Sequence, residues 1–133
     1  MAMLDIKHLS TEFSTENGTV QAVRDVTIQV EKGEILGIVG ESGSGKSQTM
    51  YSVMGLLAAN GRVAEGEISI DGRDISPKNY SKKEYDKIMS DIRGNDMAMI
   101  FQDPMTFLNP VLTIEKQLTE PILNHNDISK KEA

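Results

Sequence analysis

The sequence predicts an α/β protein in which an antiparallel β-subdomain near the start accompanies a parallel-sheet core carrying a glycine-rich loop. Three observations predict it. Apolar residues alternate at Leu4, Ile6 and Leu9, and again at Val20, Val23, Val26, Ile28 and Val30, the pattern of strands with one buried face. Two unbroken apolar runs, 35–39 and 97–101, suit strands covered on both faces, as in a parallel sheet. The first run leads directly into Gly40-Glu41-Ser42-Gly43-Ser44-Gly45-Lys46-Ser47 and then into a helical periodicity.

Taken in order, the first two strands join through the polar turn at Asn17-Gly18, and Glu31-Lys32-Gly33 separates them from the run 35–39. Residues 46–58 predict a helix with Met50, Val53, Met54 and Leu57 on one face, fading into Asn60-Gly61. Glu67 to Ile70 followed by Asp71-Gly72 reads as a hairpin. Ser81-Lys82-Lys83-Glu84 has the spacing of a capping box, opening a helix that Gly94 ends. Its lysines, with Lys78 and Lys87, read as a solvated face. After the run 97–101 come a loop from Gln102 to Pro110 and a helix from about Thr113 that Pro121 interrupts or bends. Ser129-Lys130-Lys131-Glu132 repeats the capping-box pattern with one residue left, so a longer parent chain is expected.

A length of 133 residues fits one domain or part of one, and a formal charge of -6 argues against a general nucleic-acid binder, which needs a basic face. Phosphate binding must then be local, arranged by backbone amides. Cysteine is absent, which removes disulfides, thiolate metal sites and a thiol nucleophile. No apolar run approaches the roughly 18 residues that span a bilayer, and the start lacks the features of a signal peptide; work at a membrane would require a partner.

Residues 40–47 match the phosphate-loop pattern GxxxxGK[ST] between a predicted strand and a predicted helix. Glycines at 40, 43 and 45 allow successive N–H groups to curl around a β-phosphate at a helix N-terminus whose dipole favours anions. Lys46 would place its charge on the β- and γ-phosphates, and the Ser47 hydroxyl would ligate Mg²⁺. The loop alone does not define a reaction. Gln102, at the end of the second apolar run, has an amide that can reach Mg²⁺ or an attacking water. Asp103 is a weaker candidate because Pro104 turns the chain away.

Together these residues resemble the ATP-binding subunits of ABC transporters. Gly40 to Ser47 looks like their Walker A loop, and 98–104 like the strand entering their Q-loop. Arg93-Gly94-Asn95-Asp96, with Phe101-Gln102-Asp103-Pro104-Met105-Thr106 and Leu108-Asn109-Pro110, is similar to the oligopeptide and dipeptide importer branch, where peptide or nickel uptake is implied. Phe107 departs from the small residue expected there. The resemblance implies that Phe13 stacks on adenine, that Val23 lies near the base, and that Glu41, Ser42, Ser44 and Gln48 join the glycines, Lys46 and Ser47 in holding ATP. It also implies that Gln102 shares the Mg²⁺ with Ser47. His8 and His125 match no functional position.

The same resemblance implies an ATPase that couples hydrolysis to uptake at the cytoplasmic face of the membrane. It pairs with a second ATP-binding subunit, identical or not, and with transmembrane permease subunits, the contact lying at 102–118. Segments 1–34 and 62–75 would form the β-subdomain; 35–60 and 95–133 would form the nucleotide-binding core and Q-loop region. The signature motif, Walker B carboxylates and switch histidine are not in these residues, so this chain alone is expected to hydrolyse ATP poorly. Two rivals remain: a self-contained P-loop kinase using Asp103, and a non-catalytic nucleotide-binding module.

Overall fold

The computed structural model describes residues 2–102 and 108–133. It divides into two units, Met1–Met89 and Ser90–Ala133.

The first unit is built on a four-stranded antiparallel sheet of β1 (Ala2–Thr15), β2 (Gly18–Glu31), β3 (Gly61–Ile70) and β4 (Arg73–Asp74), in the order β2-β1-β3-β4. The expected turn at Asn17-Gly18 joins β1 to β2, where the Thr15 hydroxyl donates to the Gly18 carbonyl at 2.7 Å. The apolar pattern slips by one residue between Ile6 and Leu9, and again between Val23 and Val26. An unbroken pleat would turn such a slip into a buried polar face. The β1–β2 register shifts at these places, and His8 (φ 52) and Asp25 (φ 47) take left-handed conformations there. Each bulge absorbs the extra residue, so Ile6, Leu9 and Val23 all reach the core.

The bulged backbone is held by side chains. The His8 N–H donates to Thr27 Oγ1 at 3.1 Å, the Asp25 N–H to Ser10 Oγ at 3.0 Å, and His8 Nδ1 lies 2.6 Å from Asp25 Oδ1. His8 is therefore exposed but structurally engaged.

Helix α1 (Lys46–Met54) ends four residues before the expected boundary. Gly55 terminates it with φ 67, its N–H donating to the Ser52 carbonyl and that of Leu56 to the Tyr51 carbonyl, a left-handed cap that stops helix propagation. Val53 and Met54 are buried, whereas Leu57 falls beyond the helix. The strand expected at 67–70 is also longer: β3 starts at Gly61 because it pairs with β1 from Phe13 to Leu4. Ile68, Ile70, Ile75 and Met89 complete the unit's buried apolar core.

Helix α2 (Lys82–Ile92) opens with both bonds of the capping box: the Ser81 N–H donates to Glu84 Oε2 at 2.9 Å and the Glu84 N–H to Ser81 Oγ at 3.3 Å. Past its end, Gly94 adopts φ 79. In the second unit, helix α3 (Ile114–His125) is capped by Thr113, whose hydroxyl accepts from the Lys116 N–H at 3.2 Å, and runs through Pro121 rather than stopping there. Ser129 and Glu132 form a second reciprocal capping pair, at 3.0 and 3.3 Å.

The apolar runs depart from expectation. Neither 35–39 nor 97–101 forms a strand among the described residues; a single parallel bridge joins Arg93 to Met97. Ile35 is 97% exposed, Val39 94% and Ile100 98%. The physical reason is that a parallel strand needs hydrogen-bonding neighbours brought from distant sequence, and among the described residues the Arg93–Met97 bridge is local while no distant segment forms a ladder with either run.

Candidate phosphate-binding site

The loop between β2 and α1 is shaped by its own backbone. The Ser44 N–H donates to the Glu41 carbonyl at 3.1 Å, closing a turn. Gly45 then takes φ 97 and ψ 3 as the residue preceding α1. A side chain at this position would be strained by φ and would also meet the Ala22 carbonyl oxygen at 2.7 Å, so only glycine lets the loop lie against β2. At Gly40 the reason differs: a Cβ would come within 2.7 Å of Ser44 Oγ and 3.5 Å of Lys46 Nζ, filling the space inside the curl.

The start of α1 is open. No side chain caps it, and its first turn contains no acidic residue. The first intrahelical bond is made by Thr49, whose N–H and hydroxyl both reach the Gly45 carbonyl, at 2.9 and 2.8 Å. The N–H groups of Lys46, Ser47 and Gln48 precede that bond and are not used by the helix. With the helix dipole they make a positive terminus.

Lys46, the first helical residue, turns its ammonium back over the loop. It donates to the Gly40 carbonyl, to the Glu41 carbonyl at 2.8 Å and to Ser44 Oγ at 3.1 Å. The cation thus sits at the mouth of the curl, bound to neutral acceptors. Glu41, Ser42, Gly43, Ser44 and Ser47 are exposed, and Lys46 and Gln48 half-buried, leaving the loop accessible from solvent.

The other predicted residues take varied positions. Val23 is buried at 3% exposure and packs behind the loop, its Cγ2 3.9 Å from where a Gly45 Cβ would stand. Phe13 is partly exposed on β1, opposite Val20 on one side and Gly61 on the other. Its ring lies so close over Gly61 that a Cβ there would be 2.6 Å from Cε1. Gln102 is exposed in a bend of the second unit. Asp103 and Phe107 lie outside the described residues.

Sequence reasoning missed three hydroxyl residues behind the loop: Thr11, Thr49 and Ser52. Thr11 Oγ1 lies 2.7 Å from Ser52 Oγ, which itself donates to the Gln48 carbonyl at 2.7 Å. The available signal was Thr11 continuing the buried alternation after Leu9.

Away from the loop, Asp74 has a resolved acidity change. Burial pushes its carboxyl up, but hydrogen bonds from the Ser76 hydroxyl, the Asn79 amide and the Ser76 N–H, with the Lys78 charge, leave it below its ordinary value.

A glycine loop curled at an uncapped helix start, with lysine as the first helical residue, places the chain in the phosphate-loop class. The chain belongs to the ABC transporter family, which residues 23–133 match. It is 48% identical over 132 residues to the oligopeptide transport ATP-binding protein OppD of Escherichia coli (strain K12), covering 99% of this chain and 37% of that protein. It is 47% identical over 132 residues to the dipeptide transport ATP-binding protein DppD of Lactococcus lactis subsp. cremoris (strain MG1363), covering 98% and 36%. The chain therefore spans just over a third of the length of these relatives.

Among solved structures it is similar to a dimeric ATP-binding cassette in a post-hydrolysis state bound to ADP and Pi. The TM-score is 0.73 at 26% identity, covering 98% of this chain and 52% of that one. The fold is thus that of an ABC cassette, with the antiparallel subdomain formed as expected.

Proposed function

We propose that this chain supplies the ATP-docking loop and part of the coupling surface of the ATP-binding subunit of a peptide importer. The observation that carries the proposal is the open start of α1, with the Lys46 ammonium held over the curl of residues 40–47. A polyphosphate would accept from the N–H groups of 45–48 and from Lys46, replacing neutral acceptors by charged ones and so strengthening the hydrogen bonds.

The exposed Ser47 hydroxyl, beside this anion site, fits a ligand for Mg²⁺ carried by the nucleotide. In this reading Glu41 to Ser44 line the curl, Val23 backs it, and the Phe13 ring stacks on adenine. Gln102 is assigned to the metal or the attacking water, at the entry to a coupling segment that includes the exposed Val111, Ile114 and Leu118. Segments 35–60 and 95–133 belong in this reading to the nucleotide-binding core, and 1–34 and 62–75 to the β-subdomain.

The relatives' names support peptides as cargo, and the dimeric cassette supports pairing with a second ATP-binding subunit. No helix among the described residues is long and apolar enough to cross a membrane, in keeping with attachment to the cytoplasmic face through permease subunits. Hydrolysis is assigned to the complete subunit.

The test is calorimetry with MgATP on the folded full chain. Binding that falls on the order of 100-fold in Lys46→Ala, the loss of a charge-assisted contact, supports the reading. Absence of binding by the wild type, or unchanged affinity in Lys46→Ala, removes it.

A further inference from the structure

Thr11 and Ser52 are both fully buried, at 0% exposure, and their hydroxyl oxygens are 2.7 Å apart. A serine hydroxyl carries one hydrogen. Ser52 directs its hydrogen to the Gln48 carbonyl at 2.7 Å, so the Thr11 hydroxyl is the donor to Ser52. The result is a directed relay from the middle of β1 to the first turn of α1, ending on the residue that closes the run of open N–H groups.

A second tie holds the turn between α1 and β3 to β1. The Ser14 N–H donates to the Asn60 carbonyl at 2.9 Å, and the Asn60 amide donates back to the Ser14 carbonyl at 3.0 Å. The segment leaving α1 is thereby fixed to β1 as well. Phe13 stands on β1 between these two anchors. Apolar contact alone would hold α1 on the sheet while tolerating small slides, because it is non-directional; a hydrogen bond has a narrow range of length and angle.

We propose that Thr11 and Ser52 are positioning residues that fix the height of α1 against β1. They thereby set the separation between the phosphate loop and the Phe13 ring, and so the preference for adenosine triphosphate over a bare polyphosphate. The inference rests on the nucleotide-binding reading above and adds a specificity device to it.

The experiment compares calorimetric affinities of the full chain for MgATP and for magnesium tripolyphosphate. Thr11→Val keeps the shape of the side chain and leaves the Ser52 bond to Gln48 in place. It is expected to lower the ATP-to-tripolyphosphate affinity ratio roughly tenfold, while tripolyphosphate binding stays within about twofold. Thr11→Ser, which keeps the hydroxyl, is expected to retain the wild-type ratio. A purely structural role would weaken both ligands equally, and that result, or an unchanged ratio in Thr11→Val, overturns the proposal. Should Thr11→Val not fold, Ser52→Ala carries the same comparison. If neither folds, the pair serves stability and the proposal falls. Wild-type protein that binds neither ligand sinks the nucleotide reading instead; wild-type protein that prefers ATP, with variants that keep the preference, sinks this inference alone.

Discussion

The antiparallel sheet and the apolar runs 35–39 and 97–101 are comparably rich in strand-forming residues, yet among the described residues only the sheet forms a ladder. β1 finds β2 across a two-residue turn and β3 across the α1 excursion, so it is hydrogen-bonded on both edges. Among the described residues the apolar runs form no ladder with a distant strand, and Ile35, Val39 and Ile100 lie almost wholly in solvent. Apolar character makes burial favourable, but strand formation also requires a neighbouring backbone. The phosphate loop lies between the two situations: it follows an unpaired run, yet is shaped by its own turn, by Gly45 against β2 and by α1.

Substitutions in the paired sheet should have the largest effect. Ile68→Ala removes a fully buried side chain, at 1% exposure, and is expected to cost about 3 kcal/mol in denaturant unfolding; a cost below 1 kcal/mol would show that the sheet's core is loosely packed. Gly45→Ala comes next. Its positive φ and its approach to Ala22 predict a loss of about 2 kcal/mol together with weakened MgATP binding. Unchanged stability with full binding would mean that the loop does not need its contact with β2.

Asp74 gives a smaller, pH-dependent effect. Because its folded-state pKa lies below the unfolded one, its contribution is complete above the ordinary carboxylate range. It is lost as pH falls through the lower folded-state value. Asp74→Ala should therefore cost about 1 kcal/mol at neutral pH, from the lost hydrogen bonds, and the difference from wild type should shrink in acid. A difference that grows on acidification would contradict the assigned sign.

The smallest effect is expected at Ile35, 97% exposed: Ile35→Ala should change stability by less than about 0.5 kcal/mol, and amides 35–39 should exchange quickly while those of Ile6 and Ile68 are protected. A large cost at Ile35 would show that the run is paired in solution and would erase the contrast with the sheet.

Much of this was legible from local pattern. The hairpin at Asn17-Gly18, the capping box at Ser81 and Glu84, the start of α3 at Thr113 and the glycine loop are encoded by neighbouring residues, and short-range chemistry decides them. The end of α1 was legible in principle, since Gly55 is a glycine beyond a helical turn, but the apolar Leu57 drew the expected boundary outward. The bulges at His8 and Asp25 were visible only as a slip in the alternation. The site was read at the same level: the loop, Lys46 and Ser47 come from one contiguous motif, while Thr11 and Ser52, 41 residues apart, could not be paired from sequence spacing.

By itself the sequence determined where the chain turns, where helices begin, and that residues 40–47 form a glycine loop opening a helix with lysine at its first position. Those features depend on backbone preferences and bonds spanning a few residues. Tertiary structure alone decided that the register slips become paired bulges, that Val23 backs the loop, that a buried hydroxyl relay ties β1 to α1, and that the two apolar runs lack a ladder among the described residues. Each of these depends on which distant backbone arrives alongside, and no local pattern specifies that meeting.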